Sequence, residues 1–580
     1  MSVERATREL NALGSQVLTE LKPETYDLKT GFRAVHLRSD VVGNVKPALI
    51  AVLGAVALVL IIACVNVTNL LLARGVRRRA EFALRAALGA RHGRLIRQLL
   101  TESIVLAALG GLLGMGVAML GVRALVALSP PGLPRVDAIA VNGMMFAFGL
   151  AITTLIGVAF GLTPAIQAAR SSPQAELQRG SRRATGGHRR VRSALVVAEV
   201  ALALVLLVSS GLLLRSLERL FAVEAGFDAS QLLTMQVQTS GRRFNEDSTT
   251  HRFFTEALDA VRRVPGVTAA ALSNQLPLSG DVDMYGVKFD PTPVEDAGEL
   301  RGTFRYGVSP GYFETMRIPL KRGRLLNERD IAQGERVVVI SESMAQRRLA
   351  GLDPIGRRLS IGPPTPLYTV VGVVGDVRQM SLAQNEADAV YVTAAQWRFA
   401  DNVMSLVIRA RDDAAALVPS IRAAIWSVDK DQPIVRVATM RGLLDASGAS
   451  RRFALTLFEA FAIAALVLAA AGIYGVLSGS VAERTREIGA RTALGASRSH
   501  ILRLVLRQGM QLSSVGIVLG LALSAAATQG LVALLFGVSR LDPVTYAAVI
   551  ALLVVVSLIA CSVPAWRAAR VDPAKVLRAD

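Results

Sequence analysis

Seven long apolar runs constrain the fold of this chain more than any other feature of its sequence. Each contains at most two ionisable side chains and exceeds the roughly 20 residues that an α-helix needs to cross the hydrocarbon core of a bilayer. The runs occupy residues 47–73, 99–128, 141–166, 193–214, 454–480, 508–536 and 543–565. The sequence therefore predicts a multi-pass α-helical membrane protein with about seven spans.

The net charge of +20 is concentrated beside these runs. Residues 219–450 contain 27 Lys and Arg against 27 Asp and Glu, and residues 1–45 contain six of each, so neither segment contributes to the surplus. The surplus Arg residues lie in the short loops 74–98, 170–192 and 481–507. The positive-inside rule makes these loops cytoplasmic. Topology accounts for the basic charge, and we expect no nucleic-acid partner.

One short charged stretch occurs twice, each time between two apolar runs. The first copy is Glu-Phe-Ala-Leu-Arg-Ala-Ala-Leu-Gly-Ala-Arg at 81–91, and the second is Glu-Ile-Gly-Ala-Arg-Thr-Ala-Leu-Gly-Ala-Ser at 487–497. Two apolar runs later, each copy is followed by Pro-Ala-x-x-Ala-Ala-Arg-x-x-Pro. This closing motif comprises Pro164, Arg170 and Pro173 in one case and Pro564, Arg570 and Pro573 in the other. The pattern indicates one membrane module used twice.

The repeat divides the chain into segments. A first module of three spans covers 46–170, a basic cytoplasmic linker covers 171–192, and a single anchoring span covers 193–218. An insert follows at 219–450, and a second module of three spans covers 451–580. Because the insert is entered and left through spans that run from the cytoplasmic side, we expect it to lie outside the membrane on the other side.

The insert reads as one large or two small α+β subdomains. Alternating or β-branched runs predict strands, at Leu232–Val237, Arg336–Ile340, Tyr368–Val374, Met404–Ile408 and Ile434–Val437. Helical apolar spacing predicts helices, at Phe253–Val264, Ser343–Leu349 and Ala414–Val428. The fold class is thus a multi-pass helical membrane protein with an inserted α+β extracytoplasmic domain.

Residues 1–45 are placed outside the membrane by the same topology, yet they contain no apolar stretch of the signal-peptide kind. We therefore expect that upstream sequence is missing, including a first span and most of a first soluble domain.

Several polar or small residues inside the spans have two interpretations. Asn66 and Asn69 stand at i, i+3, and interhelical hydrogen bonding is favoured over a transport pathway. For Glu199, pairing with another helix or an interfacial position is favoured over a proton relay. Gly110-x-x-x-Gly114 offers a face for close helix packing.

The motifs of common enzymes are absent from the sequence. None of the seven lysines follows a glycine, so there is no phosphate-binding loop. The five histidines are scattered, and Cys64 and Cys561 lie inside predicted spans, so we expect neither a metal site nor a disulfide. In Gly307-Val-Ser309-Pro-Gly311, Pro310 lacks the N–H that an oxyanion hole needs, which favours a turn. We expect no catalytic residues and no intrinsic enzyme activity.

The repeated stretch itself predicts a short helix with an apolar end. Glu81 and Arg85, like Glu487 and Arg491, are spaced i, i+4, an orientation that stabilises a helix. Leu88-Gly89 and Leu494-Gly495 follow, and glycine is a common helix terminator. Such a helix either seats the loop at the membrane surface or docks in a groove of a soluble partner. Its duplication favours docking to a partner with two equivalent grooves.

These motifs resemble the MacB/FtsX-type permeases of ABC transporters. Glu-x-x-x-Arg-x-Ala-Leu-Gly-Ala after a span and the closing motif resemble the FtsX-like module. Parts of the insert resemble the family's periplasmic core domain, namely Gly226-Phe227-Asp228, Val308-Ser-Pro-Gly-Tyr-Phe313, Gly323-Arg324, Val371-Gly-Val-Val-Gly-Asp376 and Tyr391. Residues 1–45 look like the C-terminal remnant of a first core domain, and the tandem order is similar to the duplicated permeases of acidobacterial type.

The resemblance implies a mechanism in which a separate cytoplasmic ABC ATPase dimer grips the short helix of each module. Movement of the spans and external domain would then serve efflux, export or lipoprotein release. The implied coupling contacts are Glu81, Arg85, Leu88, Gly89, Glu487, Arg491, Leu494 and Gly495. ATP and Mg²⁺ would bind the partner ATPase, and no cofactor would bind this chain.

The resemblance also implies a location and further partners. The chain would lie in the bacterial inner membrane, with residues 219–450 extracytoplasmic, in contact with membrane lipids and with a periplasmic adaptor or substrate. The alternative function is an ATP-independent sensor or scaffold whose external domain binds a ligand or another protein.

Overall fold

A computed structural model describes most of the chain, over residues 2–21, 31–37, 46–77, 92–127, 143–152, 154–155, 184–290, 302–349, 351–362, 366–384 and 388–571. The chain divides into two compact units. The extracytoplasmic unit comprises Met1–Val42 and Leu220–Ala449, and the membrane unit comprises Gly43–Arg219 and Ser450–Asp580.

The described helices are α1 (Val3–Leu21), α2 (Lys46–Arg77), α3 (His92–Ala127), α4 (Gly143–Ile152), α5 (Ala184–Phe221), α6 (Asp247–Arg262), α7 (Tyr312–Met316), α8 (Glu342–Leu349), α9 (Val418–Val428), α10 (Met440–Ser447), α11 (Ala449–Glu483), α12 (Thr485–Ala493), α13 (Arg498–Ala527) and α14 (Pro543–Ala569).

Six described helices are long and apolar enough to span a bilayer, namely α2, α3, α5, α11, α13 and α14. They confirm six of the seven predicted spans. The predicted span 141–166 begins as α4, and its remainder lies outside the described residues. Pro564 lies inside α14 rather than at the end of the predicted span 543–565, and the helix continues to Ala569.

The core of the membrane unit surrounds α5. Val200, Leu204 and Val208 of α5 are fully buried among apolar side chains of α11, α13 and α14. Glycines of α13 allow a close approach: a Cβ atom added at Gly516 would lie 2.7 Å from Cβ of Val200, and one at Gly520 would lie 2.9 Å from the Ala201 carbonyl oxygen. In a bilayer, such small residues bring helix backbones together.

Close packing was predicted at Gly110-x-x-x-Gly114, and it stays a prediction, because residues 128–142, 153 and 156–183 of the same module lie outside the described residues. A Cβ atom added at Gly110 or Gly114 of α3 would meet no described atom within 4 Å. The glycines whose close packing the structure describes belong to the corresponding helix of the second module, which packs against the anchoring span α5.

Polar side chains join the first module to the second. Asn66 Nδ2 of α2 donates to the Leu468 carbonyl of α11 at 2.8 Å, and Asn69 Nδ2 donates to Glu199 Oε1 of α5 at 3.4 Å. These contacts confirm interhelical hydrogen bonding for both asparagines and helix pairing for Glu199. Ala55 and Ile62 of α2 are buried in the same apolar cluster as residues of α5 and α11.

The contact between α2 and α11 relates equivalent positions of the two modules. Asn66 and Gly472 stand 406 positions apart, the spacing that also separates Glu81 from Glu487. A Cβ atom added at Gly472 would lie 3.2 Å from Asn66 Oδ1 and 1.8 Å from Glu199 Oε2. The two modules therefore meet around a buried carboxyl group, where a glycine provides the space.

Eleven strands form one hydrogen-bonded sheet in the extracytoplasmic unit. They are β1 (Leu232–Gln238), β2 (Val267–Ser273), β3 (Met284–Asp290), β4 (Gly302–Val308), β5 (Leu320–Gly323), β6 (Val337–Ser341), β7 (Arg358–Ile361), β8 (Tyr368–Val374), β9 (Ala389–Thr393), β10 (Val403–Ala410) and β11 (Ile434–Thr439).

The sheet has an open part and a closed part. The open part has the order β11-β1-β10-β2, and its pairings are antiparallel. Side chains of α6 and α9, including Phe253, Phe254 and Ile421, cover one of its faces. The closed part is a ring in the order β4-β3-β7-β8-β6-β9, because β9 pairs in parallel with β4. A single residue pair, Ser273 with Val308, connects β2 to β4.

Three of the short motifs in the insert meet in this unit. Gly226, at φ +84°, approaches Asp376 so closely that a Cβ atom would lie 1.8 Å from its carbonyl oxygen. Gly323, at φ +75°, approaches Val371 in the same way, and a Cβ atom added there would lie 2.2 Å from the Val371 carbonyl oxygen. Both positions therefore require glycine, which alone tolerates this conformation without a steric cost.

All five predicted strands and all three predicted helices of the insert coincide with observed elements. Six further strands, β2, β3, β4, β5, β7 and β9, were not predicted. Gly307 and Val308 end strand β4, and the predicted turn lies at Pro310-Gly311, where Ser309 Oγ accepts from the Leu272 amide at 2.9 Å. At the N-terminus, α1 is joined to the following segment through Asn11, which hydrogen-bonds the backbone N–H and carbonyl of Phe32, each at 2.7 Å.

Candidate functional site

The second copy of the repeated stretch forms a short helix after the membrane-spanning helix α11. Helix α11 ends at Glu483, and α12 begins two residues later. Glu487 and Arg491 form an ion pair of 2.6 Å along α12, and both side chains are about half exposed. The structure thus confirms the short helix that this spacing predicted.

One side of α12 is fixed to the membrane unit. Ile488 is 5% exposed and belongs to the apolar cluster that contains Leu477, Ile501 and Val505. Thr485 Oγ1 donates to the Val481 carbonyl at 3.0 Å, across the junction with α11. Because its apolar side is packed on α11 and α13, α12 is held at a fixed orientation within the membrane unit.

A small hollow lined by both apolar and charged side chains lies beside this contact, with Arg484, Glu487 and Arg491 among its lining residues. Gln508 and Ser480, joined by a hydrogen bond of 3.4 Å, also line it.

The end of α12 projects an apolar side chain into solvent. Leu494 is 88% exposed. Gly495 follows at φ +96°, and the Ala496 amide donates to the Arg491 carbonyl at 2.9 Å. This left-handed residue and backward hydrogen bond are the usual way in which glycine ends a helix. The cap keeps Leu494 at a defined position.

The chain then turns directly into α13. Ser497 precedes α13, and its Oγ accepts from the His500 amide at 3.3 Å, as an N-cap residue does. Helix α12 therefore has α11 at one end and α13 at the other, with only Arg484 and residues 494–497 as connections. The arrangement is a short helical projection with charged sides and an apolar tip.

A partly buried ion pair beside this projection was not predicted from the sequence. Arg192 of α5 donates to Glu483, the last residue of α11, at 2.5 Å, and the Arg192 side chain is only 7% exposed. The partners stand 291 positions apart, so no local spacing could have related them. Arg192 is the last of three closely spaced arginines of the basic linker, after Arg189 and Arg190, so its local sequence did not distinguish it.

The module-closing motif of the second copy ties α14 to neighbouring groups. Pro564 is buried within α14. Arg570 follows at the end of this helix, and its guanidinium lies 3.7 Å from the centre of the Trp566 ring. Arg567 Nη1 donates to the Tyr474 hydroxyl of α11 at 3.0 Å. Pro573 lies outside the described residues.

The first copy is also outside the described residues. This concerns the predicted coupling residues Glu81, Arg85, Leu88 and Gly89, and the closing residues Pro164, Arg170 and Pro173. In the described ranges, no three His, Cys, Asp or Glu side chains converge as a metal site would require.

Two family profiles match the chain. The "MacB-like periplasmic core domain" matches residues 193–424, and the "FtsX-like permease C-terminal" domain matches residues 53–173 and 459–573. The first match includes the anchoring span within α5. The second match occurs twice and includes both copies of the repeated stretch.

Two similar proteins are named as an ATP-binding/permease protein and as an ABC transporter permease. The chain is 28% identical over 226 residues to "Macrolide export ATP-binding/permease protein MacB" of Aggregatibacter actinomycetemcomitans, which covers 38% of this chain and 34% of that protein. It is 23% identical over 273 residues to "Uncharacterized ABC transporter permease YknZ" of Bacillus subtilis (strain 168), covering 47% of this chain and 69% of that protein. The chain thus spans about a third of the length of the MacB relative.

Among solved structures, the periplasmic region of MacB from Actinobacillus actinomycetemcomitans aligns with 36% of this chain and 90% of its own length. The sequence identity is 16% and the TM-score is 0.25.

Proposed function

We propose that this chain transmits the ATP-driven movement of a separate cytoplasmic ATPase to its extracytoplasmic unit. The premise of this proposal is that the chain is a MacB/FtsX-type ABC transporter permease. The protein is a multi-pass inner-membrane protein with an extracytoplasmic segment. The movement would serve efflux, export or lipoprotein release.

The exposed tip of α12 is the observation that carries this proposal. The Leu494 side chain is 88% exposed beside the left-handed glycine cap, and exposing an apolar side chain to water costs free energy. Burial in a groove of a soluble partner would remove that cost. Helix-in-groove docking uses such an apolar anchor with flanking charges for orientation. Leu494 would fill the groove, while Glu487 and Arg491 would set the angle of approach.

The connections of α12 suggest how the movement would travel. Helix α12 follows α11 directly, and the Glu483–Arg192 ion pair links the end of α11 to α5. Helices α5 and α11 are the segments that precede and follow the extracytoplasmic strands and helices in sequence. A force applied to α12 would therefore act on the entry and exit helices of the extracytoplasmic unit together.

The duplication supports a partner with two equivalent sites. The two modules contact each other at Asn66 and Gly472, equivalent positions of the repeat. An ATPase dimer has two equivalent surfaces, so one chain with two modules would bind it as two separate permease subunits would. ATP and Mg²⁺ would remain on the ATPase, and the coupling residues of the first module would be Glu81, Arg85, Leu88 and Gly89.

Substitutions at the tips of the two modules test the proposal. Leu88→Asp and Leu494→Asp together would place a carboxylate in each groove. We expect the double variant to reach the membrane normally but to lose co-purification with the ATPase, and each single variant to retain part of it. As a matched control, Ile331→Asp would instead change an apolar side chain of the extracytoplasmic unit that is 53% exposed and lies outside every predicted span.

The outcome also separates this function from the alternative. If the double variant binds and stimulates the ATPase as the wild type does, the docking proposal is wrong. If the chain keeps its cellular function in a strain that lacks every candidate ATPase, it is an ATP-independent sensor or scaffold.

A further inference from the structure

The carboxyl group of Glu199 in α5 is buried inside the membrane unit with only part of its hydrogen-bonding capacity in use. Glu199 is 0% exposed, and Asn69 Nδ2 of α2 donates to its Oε1 at 3.4 Å. Among the described residues, its other oxygen, Oε2, has no hydrogen-bond partner, and neither has Asn69 Oδ1. Two buried acceptor oxygens of one contacting pair of side chains therefore lack a donor.

The neighbouring helix α11 provides the space for this carboxyl group. A Cβ atom added at Gly472 would lie 1.8 Å from Glu199 Oε2 and 2.8 Å from the carboxyl carbon. Asn66 of α2 lies beside the same glycine, but its Nδ2 donates to the Leu468 carbonyl at 2.8 Å. A buried acceptor without a donor costs free energy, and the group of this contact that can gain a hydrogen is the carboxyl of Glu199.

No cation neutralises Glu199 in the part of the membrane unit that the structure describes. The nearest arginine of its own helix, Arg192, is paired with Glu483. The ionisable residues that flank the contact in sequence on the other helices are Cys64 and Arg74 of α2, Tyr474 of α11, Arg507 of α13 and Cys561 of α14. Glu199 forms no ion pair with any described residue. A carboxylate without a cation partner is strongly disfavoured inside a bilayer, so charge as well as hydrogen bonding favours the neutral acid.

The length of the observed hydrogen bond agrees with a neutral group. Hydrogen bonds in which one partner is ionised are shorter than neutral ones. Asn69 Nδ2 lies 3.4 Å from Glu199 Oε1, which is longer than the ordinary N–H···O separation of about 2.9–3.0 Å. Nothing in this contact has the short geometry of a charge-assisted hydrogen bond.

We propose that Glu199 binds a proton and pairs with Asn69 as a neutral carboxylic acid. The proton on Oε2 donates to Asn69 Oδ1 while Asn69 Nδ2 donates to Oε1, so that two hydrogen bonds close a ring between α5 and α2. One bound proton thereby gives a partner to both oxygens that lack one. Glu199 is the only ionisable residue of the apolar run 193–214, so the site holds the proton and does not pass it along the helix.

The ring makes the proton a ligand of the junction between the two modules. Helix α2 belongs to the first module, and α11, which provides the space, belongs to the second. Loss of the proton would set a carboxylate oxygen against the amide oxygen of Asn69, and the two side chains would repel each other. Separation of α2 from α5 would therefore be coupled to release of the proton, and this coupling does not depend on an ATPase partner.

Infrared spectroscopy of the full chain in lipid membranes at neutral pH tests the proposal, because the C=O absorption of a protonated carboxyl is separate from that of carboxylates. In Glu199→Gln the amide can form the same two hydrogen bonds with Asn69, so the packing is kept. We expect the difference spectrum between the wild type and this variant to show one protonated-carboxyl band. Labelling of glutamate with ¹³C in the unsubstituted chain should shift the same band, which assigns it to a glutamate without any substitution.

Glu459→Gln is the matched control for this measurement. Glu459 lies in the apolar run 454–480 of α11 and is less buried than Glu199. We expect this variant to keep the band of the wild type. Loss of the band in Glu459→Gln but not in Glu199→Gln would contradict the proposal.

Substitution of each asparagine identifies the partner of the proton. Asn69→Leu removes both hydrogen bonds of the ring, so we expect the band to move to higher frequency, as the C=O absorption of an acid that has lost its donor does. Asn66→Leu removes the hydrogen bond to Leu468, and we expect the band to stay in place. The proposal is overturned if the difference spectrum contains no protonated-carboxyl band, if ¹³C-glutamate does not shift that band, or if Asn66→Leu moves it as far as Asn69→Leu.

Discussion

Arg305 is the residue on which the junction of the extracytoplasmic unit depends most. Its side chain is 1% exposed and donates to Asp283 and to Asp401, at 2.7 Å in each case. Its guanidinium also lies 4.5 Å from the centre of the Trp397 ring. Asp401 precedes β10 of the open part, and Arg305 lies in β4 of the ring, so the Arg305–Asp401 ion pair reinforces the single strand pairing between the two parts.

We expect Arg305→Ala to lower the free energy of unfolding of the extracytoplasmic unit by about 3–5 kcal/mol, because two carboxylates would lose their buried partner. Arg317→Ala is the matched control: Arg317 pairs with Asp228 but is 60% exposed, and its loss should cost about 1 kcal/mol or less. Urea unfolding followed by Trp fluorescence measures both. Equal losses would contradict the assignment of Arg305 as the joining residue.

Asp330 makes the stability of this unit depend on pH. Burial alone would raise the pKa of the Asp330 carboxyl, but hydrogen bonds from Arg324 and from the Asn327 amide, with the Arg324 charge, lower it below its ordinary value. The Asp330 side chain is 5% exposed, and Arg324 donates to both of its oxygens, at 2.8 and 2.9 Å. A lowered pKa means that this carboxylate stabilises the fold when it is ionised.

The stabilisation is therefore present above the unfolded-state pKa of about 4 and is lost as the pH falls through the lower folded-state pKa. Between about pH 5 and pH 2, we expect the wild type to lose more unfolding free energy than Asp330→Asn, which cannot titrate. Urea midpoints measured across that range check this expectation. Parallel pH profiles for the two proteins would show that Asp330 does not contribute.

At the scale of elements, the Arg192–Glu483 ion pair connects α5 with the junction of α11 and α12. Arg192→Glu would place two carboxylates side by side, and we expect a loss of about 1–3 kcal/mol in stability together with loss of coupling between ATP hydrolysis and movement. The charge exchange Arg192→Glu with Glu483→Arg should restore most of both. Thermal unfolding and ATPase stimulation are the two measurements. Failure of the exchange to restore either would mean that the pair does not act as a connection.

The elements predicted correctly from the sequence are those with long or regularly repeated apolar residues. Continuous runs of apolar or β-branched residues predicted the long spans and the strands Leu232–Gln238 and Tyr368–Val374. Strands β5 and β7 have four residues each, and β5 is exposed at all four positions, so no apolar alternation marks them. Both strands form by backbone hydrogen bonding to neighbouring strands of the ring, which their own sequences do not indicate.

The candidate site was predictable only in part. The i, i+4 pair Glu487–Arg491 and the terminating glycine Gly495 are local signals, and the structure places both as expected. The Arg192–Glu483 and Asn69–Glu199 pairs join residues that are distant in sequence, so a single sequence carries no spacing that relates them.

At the scale of the whole molecule, the repeat organises the membrane unit. Asn66 and Gly472 occupy equivalent positions of the two modules and meet at Glu199, so the modules are joined through corresponding helices. The described parts of the modules nevertheless differ: a Cβ atom added at Gly516 or Gly520 of α13 would contact α5, whereas one added at Gly110 or Gly114 of α3 would meet no described atom within 4 Å.

The most direct test of the proposed function is to crosslink the tips of the two short helices to a soluble partner. Single cysteines at Leu88 and Leu494, in a background without Cys64 and Cys561, would be crosslinked in membranes, and the captured protein identified. We predict that both positions capture an ABC ATPase, and that capture at Leu494 is lost when Gly495→Val disturbs the helix cap. Capture of no ATPase at either position, with the chain intact in the membrane, would contradict the proposal that this chain transmits the movement of a separate ATPase.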